Sequence, residues 1–387
     1  MQAYMSADPL PSPSNEAALH SRALAAHIRA EIGAAGGWID FARYMDLALY
    51  APGLGYYAAG AAKLGDAGDF ITAPELTPLF AATLARQIGP LLCETGGDLL
   101  ELGGGSGRLA CDLLVALDAL GMPPARYAIV EVSPDLRARQ AHAIDALPAR
   151  LAGRAVWLDA LPGRIEGVVL ANEILDALPV HLVRWDEEGL RERGVAAGVN
   201  GFVFQDSALS AEALRARAQS LPVAPPYLSE INLRASALVD ALARRLRRGA
   251  LLFIDYGFGR SEYYHPQRNR GTLMCHYRHR AHDDPFFLPG LQDITAHVDF
   301  TAVAEAGTAC GLQLMGYATQ ARFLIQLGIT DLLGRAQPGS RDYFRQAAAA
   351  QKLLSPAEMG ELFKVIALGR GVAPLAGFAA GDLSRLL

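Results

Sequence analysis

From Asp98 onward the chain alternates short apolar runs with longer amphipathic stretches, and no other feature narrows the possible folds so far. Asp98–Leu102, Tyr127–Val132, Ala155–Leu158 and Gly167–Ala171 read as strands. Arg108–Leu120 and Pro134–Ala146 read as the helices between them, the second with Ser133 as its N-cap. Strands that are apolar throughout, joined by helical crossovers, require a parallel sheet covered on both faces. Ala250–Asp255 continues the series as a fifth strand, Phe300–Cys310 as a helix, and Leu312–Ala318 and Phe363–Leu368 as the last two strands. The expected class is therefore α/β, with a doubly wound, seven-stranded core.

Around that core the pattern is interrupted. Residues 1–16, with prolines at 9, 11 and 13, read as a disordered tail, and residues 17–90 as an N-terminal helical and lid segment. Within it, Ala17–Ile32 and Thr77–Ile88 look helical, whereas 36–75 looks irregular and rich in Gly, Tyr and Pro. A loop of that length in a compact domain is usually functional. Residues 91–180 form the first half of the core. Residues 181–248 are read as an insertion: His181–Trp185 and Gly201–Gln205 as antiparallel strands with a turn at Asp186-Glu-Glu-Gly189, then mostly helix from 211. Residues 249–387 complete the core, with a substrate-facing loop and a helical insertion.

The chemistry is expected at the turn after the first core strand, Glu101-Leu-Gly103-Gly-Gly105-Ser-Gly107. Glycine there permits positive φ and close approach of backbone to a ligand. The following helix start offers free N–H groups to an anion. A dinucleotide fingerprint, G-x-G-x-x-G, is the competing reading. Begun at Gly103 it ends on Arg108, and begun at Gly105 it ends on Ala110. The spacing fits an S-adenosylmethionine loop better. Glu131, near the end of the second strand, is placed to accept both ribose hydroxyls. Asp159, after the third, is placed to reach an adenine amino group. The bland alternative for each is a solvated surface carboxylate.

After the fourth strand, Asn172-Glu173-Ile-Leu-Asp176-Ala-Leu-Pro179 sets an amide and two acids at the same rim. Methyl transfer is an in-line displacement, so alignment carries most of the catalysis. Two carboxylates would suit a guanidinium acceptor, pairing with the planar cation while one takes up the released proton. Spaced three apart, Glu173 and Asp176 would share one face of a helical turn. Alternatively, Asp176 caps the next helix and Glu173 is solvated. Cys275-His276-Tyr-Arg278-His279-Arg-Ala-His282-Asp283-Asp284 carries potential metal ligands that could converge on a helix, but it matches no zinc pattern, and a substrate-facing loop is the preferred reading.

These motifs, in this order, resemble the MidA family of S-adenosylmethionine-dependent methyltransferases. The resemblance runs from about Tyr44 to Gly369. It rests on Leu49-Tyr50 with Gly55-Tyr56-Tyr57, Gly68-Asp-Phe-Ile-Thr-Ala-Pro-Glu75, Glu101–Gly107, Val130-Glu-Val-Ser-Pro134, Asn172–Pro179, Asp255-Tyr256-Gly257 and Asp293-Ile-Thr-Ala-His-Val-Asp-Phe300. Ile174 and Leu175 stand where an aromatic pair is more usual. The resemblance implies a class I methyltransferase core and S-adenosylmethionine as cofactor. It implies cofactor contacts from Glu101, Gly103, Gly105, Gly107, Glu131, Asp159, Asn172 and, in the closing loop, Thr72. It further implies catalytic roles for Glu173 and Asp176, and a protein arginine as acceptor, in a respiratory complex I subunit for the mitochondrial members. A non-catalytic assembly factor that keeps the fold is the alternative.

Bulk properties remove other classes. Net charge is −5 with a pI near 6.0, so no basic excess draws the chain to nucleic acid. No apolar run is long enough to span a membrane. The four cysteines form no Cys-x-x-Cys pair and show neither a zinc nor a disulfide pattern. With no arginine-rich leader in evidence, the expectation is a cytoplasmic, bacterial protein.

Overall fold

The structure, a computed structural model, describes residues 10–59 and 72–387. It falls into two compact units. One comprises Ile71–Leu175, Ser236–Gly259 and Asp299–Leu387; the other comprises Met1–Phe70, Asp176–Ala235 and Arg260–Val298.

The first unit is built on a sheet whose seven main strands are β1 (Asp98–Leu102), β2 (Tyr127–Val130), β3 (Ala155–Leu158), β4 (Ile165–Asn172), β5 (Leu246–Phe258), β6 (Gln313–Thr319) and β7 (Phe363–Arg370). Their spatial order is β3-β2-β1-β4-β5-β7-β6, with a further short strand off this path. β1 through β5 pair in parallel, while β7 runs antiparallel to both neighbours. The expected doubly wound class I methyltransferase core is what forms. Strand residues such as Leu99, Val168, Leu170, Leu252, Ile254 and Val365 are completely or almost completely buried in one apolar cluster with the flanking helices. Each contributes about 1.5–3 kcal/mol of gross hydrophobic stabilisation. Strand order reverses between β1 and β4, and in such sheets ligands bind outside the carboxyl ends of the strands at that switch point.

The helix expected over 77–88 runs from Pro78 to Thr95, straight through Gly89-Pro90. Gly89 and Pro90 read as a stop. Leu91 and Leu92 are buried beyond them, and that burial outweighs the single backbone hydrogen bond a proline forgoes.

The second unit departs further from expectation. Phe41–Tyr50, read as irregular, is a helix capped by Asp40, whose carboxylate accepts from the Arg43 N–H at 2.8 Å. Its buried Phe41, Tyr44, Met45, Ala48 and Leu49 carry helical periodicity that the density of turn-forming residues around it had obscured. The antiparallel insertion is larger than read. Gly189–Gly198 pairs with Ile39–Asp40, His181–Asp186 and Gly201–Ser207, and Tyr227–Ile231 joins at the edge inside the stretch taken as helix. The histidine-rich segment is a hairpin, not a helix. Met274–Tyr277 pairs with Arg280–His282 across a turn in which Arg278 and His279 both take positive φ, so alternating residues lie on opposite faces and the three histidines do not converge.

Candidate cofactor and methyl-transfer site

The loop after β1 is built by three left-handed residues. Gly103, Gly105 and Gly107 take φ of 63°, 51° and 86°. Side chains other than glycine adopt such angles at a cost of about 1 kcal/mol or more. The loop is pinned by Gly103 N–H donating to Val130 O (2.9 Å) and Gly107 N–H donating to Gly104 O (2.8 Å). Gly107 then starts the helix Arg108–Ala119 without any side-chain cap. The first N–H groups of that helix therefore point outward at the carboxyl end of the sheet, where they suit an anionic group.

Glu101 is not at the rim. It is buried within β1 and accepts from the Tyr127 hydroxyl at 2.9 Å. Burial pushes its carboxyl up to about 8, opposed by that hydrogen bond. It acts beneath the loop, as part of its foundation.

Glu131 lies at the end of β2 beside the loop. One carboxylate oxygen accepts from Ser133 N–H (2.9 Å), the other from Gln140 Nε2 (2.9 Å). Burial raises its pKa, and these hydrogen bonds oppose the shift. Asp159 stands apart: its side chain is 89% exposed and pairs with Arg137 at 2.6 Å. Thr72 opens the short helix Ala73–Leu76, whose Glu75 is hydrogen-bonded to the Ser106 hydroxyl of the glycine loop. The rest of the expected closing loop, Gly68–Ile71, lies outside the described residues.

At the end of β4, Asn172 donates to the Glu173 carboxylate at 3.0 Å, and its own buried Oδ1 accepts no hydrogen bond from a described residue. A buried amide oxygen without a donor costs about 1–3 kcal/mol, so the position fits a ligand donor. Glu173 has φ of 53°, which for a non-glycine residue marks stored backbone strain. The strain is held in place from β5. Ile254 O accepts from Glu173 N–H, and a single oxygen of buried Asp255 accepts from both Ile174 and Leu175 N–H, at 3.1 and 2.8 Å. The helical turn expected over Glu173–Asp176 does not form, because a right-handed helical turn cannot hold Glu173 at positive φ. Ile174 packs against the glycine loop: a Cβ on Gly103 would sit 2.3 Å from its Cδ1. The structure thus brings the glycine loop, Glu131, Asn172 and Glu173 to neighbouring strand ends. Asp176 belongs to the other unit, where its carbonyl accepts from Ala296 N–H at 3.0 Å.

Two residues escaped sequence reading. Asp255 stands in the sequence only as the end of the fifth strand and part of a family motif, and Gln140 carries no reading at all. A glutamine six residues into an exposed-looking helix carries no local signal.

Comparison with known proteins agrees with this geometry. A family model described as "Putative S-adenosyl-L-methionine-dependent methyltransferase" matches residues 79–318. The chain is 30% identical to the Drosophila melanogaster protein arginine methyltransferase NDUFAF7 homolog, mitochondrial, over 95% of this chain and 91% of that one. It is 30% identical to the Homo sapiens protein arginine methyltransferase NDUFAF7, mitochondrial, over 86% and 80% respectively. A superfamily member from Burkholderia thailandensis, crystallised with S-adenosyl-homocysteine, is 52% identical and superposes with a TM-score of 0.94 over 98% of this chain and all of that one. Fold, switch-point loop and matched family lead to one conclusion: this chain belongs to the MidA (NDUFAF7-like) family of S-adenosylmethionine-dependent methyltransferases.

Proposed function

We propose that the chain transfers a methyl group from S-adenosylmethionine to the guanidinium of an arginine in a protein, a subunit of respiratory complex I. The observation that carries the catalytic part is the strained Glu173, held at positive φ by Ile254 and Asp255 at the switch point. Strain persists where surrounding structure over-determines it, and it concentrates where function needs one conformation. The acceptor is drawn from the carboxylate of Glu173 at the switch point and from the arginine methyltransferase names of relatives near 30% identity.

Bound S-adenosylmethionine supplies an electrophilic methyl on a sulfonium. Gly103, Gly105 and Gly107 cradle it, with Glu101 supporting their strand from below. Glu131 accepts from the ribose, Asn172 Oδ1 takes a cofactor or acceptor donor, and Asp159 and Thr72 stand at the margins. Glu173 pairs with the guanidinium; Asp176, the second acid expected for that role, belongs to the other unit. Glu173 would orient the acceptor nitrogen toward that methyl and take up the proton the nitrogen sheds on transfer.

The test is incubation of purified protein, with methyl-labelled cofactor, against complex I subunits, followed by mass spectrometry. Methylarginine in one subunit is the expected result. Label on another residue type, or none while the cofactor still binds, would overturn the acceptor and favour an assembly factor that retains the fold.

A further inference from the structure

The helix Pro134–Asp145 buries Gln140 and Ile144, one turn apart, against the sheet. Gln140 is completely buried, and its amide is fully used. Nε2 donates to Gly105 O at 3.0 Å and to Glu131 Oε2 at 2.9 Å, while Oε1 accepts from Trp157 Nε1 at 2.9 Å. The orientation of the amide is fixed by chemistry. Indole N–H can only donate, and the carbonyl and carboxylate can only accept here. A buried amide lacking partners would be costly, but one with every partner in place is rigid, since low surrounding polarity strengthens each bond. The glycine loop is shaped to receive it. A Cβ on Gly104 would sit 3.0 Å from Gln140 Nε2, and one on Gly107 3.0 Å from Gln140 Cα.

We infer that Gln140 is the positioning residue for the cofactor. Through one amide it locks the Gly105 turn and the Glu131 carboxylate to each other, with Trp157 holding the amide in register. Gln140 itself touches no cofactor atom. It removes the freedom of the two groups that do, so that binding does not have to supply their ordering. The inference rests on the reading that the glycine loop and Glu131 bind the cofactor.

Calorimetric titration with S-adenosylmethionine and S-adenosyl-homocysteine tests it on the purified full chain. Gln140→Met keeps the volume and loses all three hydrogen bonds; the dissociation constant should rise about 10- to 100-fold. Gln140→Glu sets an acceptor against two acceptors and should bind no better than Gln140→Met. Trp157→Phe, which frees only the amide oxygen, should weaken binding about threefold. KM for the cofactor should follow these changes, with kcat at saturating cofactor within about threefold of the parent. If both Gln140 variants bind S-adenosyl-homocysteine as the parent does, even with a lowered melting temperature, Gln140 is only structural and the inference fails. If they do not fold, an unchanged affinity in Trp157→Phe overturns it. Gly105→Val should abolish binding; if it instead binds normally, the loop reading itself is wrong.

Discussion

The two units of this chain are made in different ways. In the sheet unit, the glycine loop, Glu131, Asn172 and Glu173 follow one another along a single continuous run of chain, at the ends of parallel strands. The other unit likewise gathers three separate segments, but its anchors run between those segments. Side chains reaching across sequence tie them together. Trp38 Nε1 donates to Gln205 O (2.9 Å), Tyr44 Oη to Pro285 O (2.8 Å), and Tyr57 Oη to Asp293 (3.0 Å). Glu230 holds the third segment to the second. Its carboxylate accepts from Thr272 N–H (2.8 Å) and Leu273 N–H (2.9 Å), and from the Tyr263 hydroxyl (3.2 Å). The order of the strand-end groups is set by one run of chain, although Glu173 takes its conformation from Asp255 on another segment, while the other unit is constrained only once its three segments have met.

The contrast can be broken most directly at the acids. Glu173 lies on the sheet unit and Asp176 on the other. Glu173→Gln should lower kcat about 100-fold or more with cofactor affinity unchanged. Asp176→Asn should raise KM for the protein acceptor more than it lowers kcat. If Glu173→Gln lost cofactor affinity and kept kcat, Glu173 would belong with the cofactor groups and not with transfer.

The non-local unit should be the more fragile to loss of a single buried anchor. Glu230→Ala leaves two backbone donors and a tyrosine hydroxyl without their acceptor and should cost about 3 kcal/mol, read from the denaturant midpoint. Cofactor affinity should change little. A variant as stable as the parent would mean that the three segments do not depend on this carboxylate.

Within the sheet unit, Glu101 makes stability depend on pH. Its folded pKa lies near 8, above the ordinary carboxyl value of 4.5. Between those limits the folded protein holds a proton that the unfolded chain has released, so stability falls as pH rises through that window. Glu101→Gln stays neutral and keeps an acceptor for Tyr127. It should gain about 4–5 kcal/mol over the parent at pH 8.5 and nothing at pH 4. Parallel curves for the two proteins would show that Glu101 is ionised throughout.

The smallest effect is expected at Asp159. With its side chain 89% exposed, Asp159→Ala should change cofactor affinity by no more than about threefold and leave stability within about 0.5 kcal/mol. A larger loss of affinity would return it to the cofactor site as an adenine ligand.

Sequence reading was strongest where spacing and position coincide. The strands at 98–102 and 127–130, the helices after them and the glycines at 103, 105 and 107 were all legible, because a strand's apolar run and a left-handed turn are properties of a few adjacent residues. It was weakest where partners are remote. The helix over Phe41–Tyr50 was lost among glycines and prolines, although its apolar stripe was present. Tyr227–Ile231 escapes a sequence reading because its partner strand His181–Asp186 lies some forty residues away, and Gly189–Gly198 because its charged residues mask the apolar alternation of a hairpin strand. Glu173 and Asp176 were expected to share a helical face, since spacing alone permits it. Glu173 instead takes positive φ, which excludes such a turn, and Asp255, some eighty residues later, accepts from the Ile174 and Leu175 N–H groups beside it.

By itself, the order of residues determined that a parallel sheet would form, that its first turn would expose backbone to a ligand, and that acids would follow the second and fourth strands. Those outcomes need only local geometry and the burial of apolar runs. Tertiary structure alone decided that a glutamine from a helix would clamp the loop to Glu131, and that Glu173 would be held in a strained conformation. It also decided that Glu101 would lie buried beneath the site while Asp159 faced water. Such outcomes depend on which polar groups find partners once solvent is excluded, and that pairing is settled only when segments far apart in the chain have packed.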